Sequence, residues 1–131
     1  MSRKTARETA FKLIYEYSVT GKKNELTLKS LTKSDDLTDG DTEYIENVYN
    51  GVIENFSKIT EIIEKHTEGY RIERIYKTDF AILALSIYEI KFYKGISNAV
   101  SVNEAVELAK IYSTDKSYSF INGILAKIIN G

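Results

Sequence analysis

The sequence predicts an all-α domain, and three observations carry that prediction. The stretch TDFAILALSIYEIKFY, Thr78 to Tyr93, is apolar nearly all round, since from Phe80 to Tyr93 only Ser86, Glu89 and Lys91 are polar. A helix with apolar residues on every side must be surrounded by protein, because a surface helix confines them to one stripe. The run is too short to cross a bilayer, which needs about 20 apolar residues. It is also longer than most strands, which rarely exceed about 10, and Ala81, Leu83, Ala84 and Leu85 are good helix formers. Most of the remaining chain places apolar residues at helical spacing. Finally, there is no proline and there are only seven glycines, which favours long uninterrupted helices. With 131 residues, 43% of them hydrophobic, residues 1–131 suit a single domain with a sizeable core.

The elements follow in order. The first helix is predicted over Arg3–Val19, stopping near Gly21, a natural residue just past a helix end. Its core stripe is Ala6, Ala10, Leu13, Ile14 and Tyr17. A second stripe lies beside it: Arg3, Arg7 and Phe11, with Lys4 and Tyr15 next to them. Alternating basic and aromatic residues suit a strand's phosphates and bases. The plainer reading is a solvated cationic edge whose aromatics pack on neighbouring helices. Residues 20–41 are mostly polar, with Leu26, Leu28, Leu31 and Leu37 pinning a short helix or an ordered loop. Asp39-Gly40 reads as a turn and Asp41 as the N-cap of the next helix. From Asp41 to Thr67 helical spacing persists through Tyr44, Ile45, Val48, Val52, Ile53, Phe56, Ile59, Ile62 and Ile63. That is long for one globular helix, so a break near residues 56–58 is expected. Gly51 inside it costs about 1 kcal/mol relative to alanine, which close approach by another helix would offset.

Residues 68–77 read as a connector with one helical turn. The central helix is expected to be capped by Thr78 or Asp79 and to end at Gly95. Ser101-Val102-Asn103-Glu104 fits a capping box, in which Ser101 caps a helix and Glu104 reaches back to its amide. That helix carries Val102, Ala105, Val106, Ala109 and Tyr112 on one face. The last helix is predicted over Lys116–Asn130, with Phe120, Ile121, Ile124, Leu125, Ile128 and Ile129 as its core stripe. Gly123 in its middle predicts a second close packing contact.

Composition removes several kinds of chemistry. The chain has no cysteine, which excludes a disulfide framework, thiol catalysis and cysteine-based zinc or iron–sulfur sites, and suits a reducing cytoplasm. The start, MSRKTARETAFKL, has no apolar run before a small-residue cleavage site, so no secretory signal is expected. His66 is the one histidine, and a C-terminal cap explains it. No GxxxxGK[ST] or GxGxxG motif occurs. Glu89 and Glu104 are the one carboxylate pair to weigh for acid–base work, but Glu104 has a capping role and Glu89 can answer a basic or polar partner in the core. No catalytic residue, cofactor or metal site is expected, and no membrane partner. The net charge of −1 hides an uneven distribution. Arg3, Lys4, Arg7 and Lys12 oppose one Glu8 at the start, Lys110, Lys116 and Lys127 oppose one Asp115 at the end, and Asp35–Glu46 holds acids without a base.

Specific motifs add a resemblance. In SVNEAVELAKIYSTDKSYSFINGILAKI, residues Asn103, Glu104, Ala105, Glu107–Lys110, Ser117 and Phe120–Leu125 match the C-terminal signature of the NusB transcription antitermination family. The start resembles the family's opening at Ala6, Arg7, Glu8, Leu13 and Tyr15. NGVIEN at 50–55 and YRIERIYKTDFAILALSIYEI are similar to its middle segments. The resemblance covers most of the chain in order.

It implies a NusB-like fold of two helical bundles with about seven helices. It also implies a transcription antitermination factor that binds the boxA element of ribosomal RNA transcripts as a single strand. The partners it implies are the small-subunit ribosomal protein NusE and the antitermination complex of RNA polymerase. Carried over by position, the RNA surface is Arg3, Lys4, Arg7, Tyr112, Lys116, Ser117 and Phe120, and the ribosomal protein meets Tyr15 and Asp79. Two departures stand out: Ala84 replaces an arginine in the central helix, and Ser119 stands where a basic residue is common. The same fold occurs as the N-terminal domain of certain RNA cytosine methyltransferases, but these residues include no catalytic domain. The alternative outside nucleic acids is a helical interaction scaffold, homodimeric or not, that lacks RNA specificity.

Overall fold

The computed structural model describes residues 2–67 and 71–131; the start of the connector at 68–70 lies outside them. Among the described residues there are seven α-helices and no strand. They are α1 (Ser2–Thr20), α2 (Glu25–Leu31), α3 (Asp39–Glu54), α4 (Phe56–His66), α5 (Lys77–Lys91), α6 (Asn98–Tyr112) and α7 (Ser117–Asn130), with a 3-10 turn at Ile72–Arg74.

Helix α5 is the centre. Every residue from Asp79 to Glu89 is buried, as an all-round apolar helix requires. It packs against α1, α3, α4, α6 and α7. The α1 stripe Ala6, Ala10, Leu13 and Ile14 is fully buried, while Tyr17 is half-buried and meets Phe56 edge-on, ring centres 5.2 Å apart. The long apolar stretch breaks at Asn55, whose side chain donates to the Gly51 carbonyl at 2.9 Å. Gly21 closes α1 at φ 74, its N–H donating to the Tyr17 carbonyl at 2.7 Å.

Four helix ends differ from expectation, three of them because a side chain found another partner. Thr38, not Asp41, caps α3; its hydroxyl accepts from the Asp41 N–H at 3.1 Å while the Asp41 carboxylate accepts from the Thr38 N–H at 3.2 Å. Gly40 therefore lies inside the helix rather than in a turn. Helix α5 starts after Tyr76 without a side-chain cap, because Asp79 turns to two serine hydroxyls far along the chain. It also ends at Lys91, short of Gly95, which serves the following connection at φ 98. Helix α6 begins a turn earlier than expected, capped by Ser97, whose hydroxyl accepts from the Val100 N–H at 3.2 Å. Ser101 lies inside that helix and is buried, so the Ser101–Glu104 capping box does not form.

The two mid-helix glycines, Gly51 and Gly123, part company. A methyl at Gly51 would overlap the Tyr88 ring, whose hydroxyl donates to Asn47 at 2.7 Å; here α3 and α5 touch through the missing side chain. Gly123 is exposed with nothing within 4 Å of such a methyl, so the expected close packing is absent there. Gly51→Ala should destabilise by about 1–3 kcal/mol through overpacking, whereas Gly123→Ala should stabilise by up to about 1 kcal/mol through helix propensity. Urea denaturation of both variants checks the opposite signs.

Candidate nucleic-acid interface

The helical rotation of α1 decides which cations reach solvent. Arg7 does not. It is only 5% exposed, and its Nε lies 3.1 Å from Glu89 Oε2 while Nη1 lies 3.4 Å from Glu104 Oε1. A charge removed from water needs such partners. Glu89 also accepts from the Ser101 hydroxyl at 3.0 Å and from the Tyr44 hydroxyl. Burial, reinforced by Glu89, pushes the Tyr44 pKa far above the ordinary tyrosine range, so Tyr44 remains a donor. The expectation of Arg7 on an exposed cationic edge is thus corrected: its guanidinium is spent on two carboxylates. Glu104 is likewise an ion-pair partner instead of a cap. Ala84, where the resemblance has an arginine, is fully buried.

The outer face of α1 keeps the other cations. Lys4 is exposed. Arg3 pairs with Asp41 at 3.2 Å and lies over the Tyr44 ring, 4.4 Å from its centre. Farther along, Phe11 is buried with its ring 5.1 Å from that of Tyr112. Lys12 lies 5.9 Å over the Tyr112 ring, and the Tyr112 hydroxyl donates to Glu8 at 2.7 Å. That hydrogen bond, with burial, raises the Tyr112 pKa. Tyr15, 40% exposed, joins Phe11, Lys12, Thr78 and Tyr112 around an open cavity of about 230 Å³. Through Tyr112 the first helix therefore meets the end of α6.

A second cavity of about 270 Å³ takes residues close in sequence to Thr78 and Tyr112 and none from α1. Arg74, Ile75, Tyr76, Asp79, Thr114, Lys116, Ser117 and Phe120 line it. Lys116, Arg74 and Tyr76 are exposed and Phe120 is half-buried. Asp79 and Ser117 are buried at its base: the Ser117 hydroxyl donates to one Asp79 oxygen at 3.0 Å and that of Ser113 to the other at 2.5 Å. Neither is a surface group. Ser119 is exposed and uncharged. Sequence reasoning missed Arg74, Tyr76 and Thr114. The basic and aromatic letters of RIERIY were a signal, but they were read as a connector and as part of the family resemblance, without a surface role.

The profile of the NusB family matches residues 4–130. The chain belongs to the NusB family. The transcription antitermination protein NusB of Acetivibrio thermocellus is 44% identical, covering 98% of this chain and 89% of the relative. That of Clostridium botulinum is 40% identical, covering 98% of this chain and all of the relative. Among solved structures, T. maritima NusB is similar with a TM-score of 0.87 and 28% identity, over 99% of this chain and 92% of that one. A crystal structure of the antitermination factors NusB and NusE in complex with double-stranded RNA is similar with a TM-score of 0.85 and 28% identity, over 98% of this chain and 96% of that one. No described helix is long and apolar enough to cross a membrane.

Two outcomes are expected from the buried network. Arg7→Ala should cost about 3–5 kcal/mol, because it strands the Glu89 charge; urea denaturation measures it. Tyr44 holds its proton in the folded state well above the ordinary tyrosine pKa of 10.0. Its contribution is therefore complete below that pH and shrinks as pH climbs past it, where the unfolded chain ionises. Between neutral pH and the range above the ordinary tyrosine pKa, stability should fall more steeply for the natural chain than for Tyr44→Phe.

Proposed function

We propose that this chain is an antitermination factor that binds boxA-type single-stranded RNA of ribosomal RNA transcripts together with the ribosomal protein NusE, in the antitermination complex of RNA polymerase. The cytoplasm is where it then works. The observation that carries the reading is the meeting, at Tyr112, of the cationic outer face of α1 with the end of α6, from which the turn into α7 departs. Neither end of the chain alone offers enough cations for tight binding, since phosphate contacts dominate affinity. Together they offer Arg3, Lys4, Lys12 and Lys116 as phosphate partners, with Tyr112 and Phe120 as stacking surfaces. A single strand presents bases that can stack and be read, whereas an A-form duplex hides its edges. Arg7 and Ser117 act in this reading from beneath, by holding the helices that carry the contacts. Tyr15 remains the exposed candidate for the ribosomal protein. The solved NusB–NusE complex supports both kinds of partner, and its duplex RNA supplies the competing reading.

Binding to a boxA-like strand and to its duplex, with and without NusE and across a salt series, separates the two. The single strand should bind more tightly, and Lys116→Ala should flatten the plot of log affinity against log salt by about 0.7. Equal or tighter binding of the duplex would favour recognition of helical shape instead.

A further inference from the structure

Asp79 sits three residues into α5, on the most buried element of the molecule, and is itself 3% exposed. Its two oxygens take one hydroxyl each, from Ser113 at 2.5 Å and from Ser117 at 3.0 Å. These serines bracket the turn between helices: Ser113 is the C-cap of α6 and Ser117 the first residue of α7. The protons can be assigned. With Ser113 and Ser117 both donating to Asp79, the Ser117 oxygen accepts from the Thr114 N–H at 3.2 Å and the Thr114 hydroxyl at 2.8 Å, and the two serine oxygens lie 2.9 Å apart with no proton left for a bond between them. Helix α7 has no side-chain cap of its own; Lys116 occupies the N-cap position without such a bond. One carboxylate thus clamps both ends of the turn that presents Lys116, and Phe120 follows one helical turn later.

We propose that Asp79 is a positioning residue, a buried latch on the Ser113–Ser117 turn that sets Lys116 and Phe120 against Arg74 and Tyr76, and so acts on bound RNA without touching it. This rests on the RNA-binding reading above. Only a carboxylate accepts from each serine through a separate oxygen; in Asp79→Asn the amide nitrogen can only donate, so the serine facing it must turn its proton elsewhere, and both charge-assisted bonds become weaker neutral ones. Hydrogen bonds to charged groups are the stronger ones, so the change should be felt at both ends.

The test is one of sign. Removing a negative charge from beneath a phosphate-binding surface should, by electrostatics alone, tighten RNA binding. A latch predicts the reverse. Amide hydrogen exchange should accelerate at residues 113–117 of Asp79→Asn, with the α1–α3 core unchanged. Affinity for the boxA-like single strand should fall about tenfold, the equivalent of one charge-assisted bond. Its salt slope should stay as in the natural chain, because no cation is lost. Adding Ser117→Ala to Asp79→Asn should cost little more than either change alone. If Asp79→Asn does not fold, Ser117→Ala carries the same test, since it opens the same clamp at unchanged charge. Unaltered exchange in the turn, or affinity that stays equal or rises, overturns the latch alone. Failure of the natural chain to bind either RNA overturns the RNA-binding reading and this proposal with it.

Discussion

The structure depends on one carboxylate with no access to water. Glu89 lies in the second half of α5 and collects donors from three other helices: Arg7 of α1, Tyr44 of α3 and Ser101 of α6. Burying a charge is costly unless it is paired and hydrogen-bonded, and here the lone pairs are filled from three directions. The apolar contacts around α5 supply most of the driving force for folding, but they are non-directional and tolerate helices that slide or rotate. Directed bonds do not. A network of this kind fixes the angular setting of α1, α3 and α6 about α5 together, and losing one member weakens the others.

That setting has a consequence for the surface. With Arg7 turned inward, Lys4 and Lys12 are left on the outer side of α1, and the row that includes Phe11 is drawn against Tyr112 at the end of α6. Helix α5 works at its other end as well, where Asp79 holds the turn into α7. Two buried carboxylates ten residues apart on one helix thus align the start of the chain with its last interhelical turn. The candidate RNA surface is assembled from residues remote in sequence, and none of them needs to be supplied by α5 itself.

Much of the fold was legible. Helical periodicity identified α1, the paired α3 and α4 with their break, the buried α5, and the core stripe of α7, because apolar spacing is a local property of the chain. Gly51 was read as a point of close approach and meets Tyr88. The same argument failed at Gly123, which faces open space, since a glycine's cost does not say whether anything compensates it. Helix ends were the weakest part. Ser101-Val102-Asn103-Glu104 has the letters of a capping box, yet Ser101 is drawn to Glu89 and Glu104 to Arg7, and Ser97 caps the helix instead. At Asp79, too, a residue suited to a cap was claimed by hydroxyls more than thirty positions away.

By itself, then, the sequence determined the helical class and most of the buried faces, because each follows from residue type at fixed spacing along one segment, and its motifs, matched in order along most of the chain, carried the resemblance to the family. Only the tertiary structure decided the fate of the polar residues at the border of those faces. Arg7 lies beside the α1 stripe, where helix geometry permits either solvent or core. Its direction was settled by a carboxylate 82 positions away, since a charge on that border turns to whichever partner the packing of other helices brings within reach.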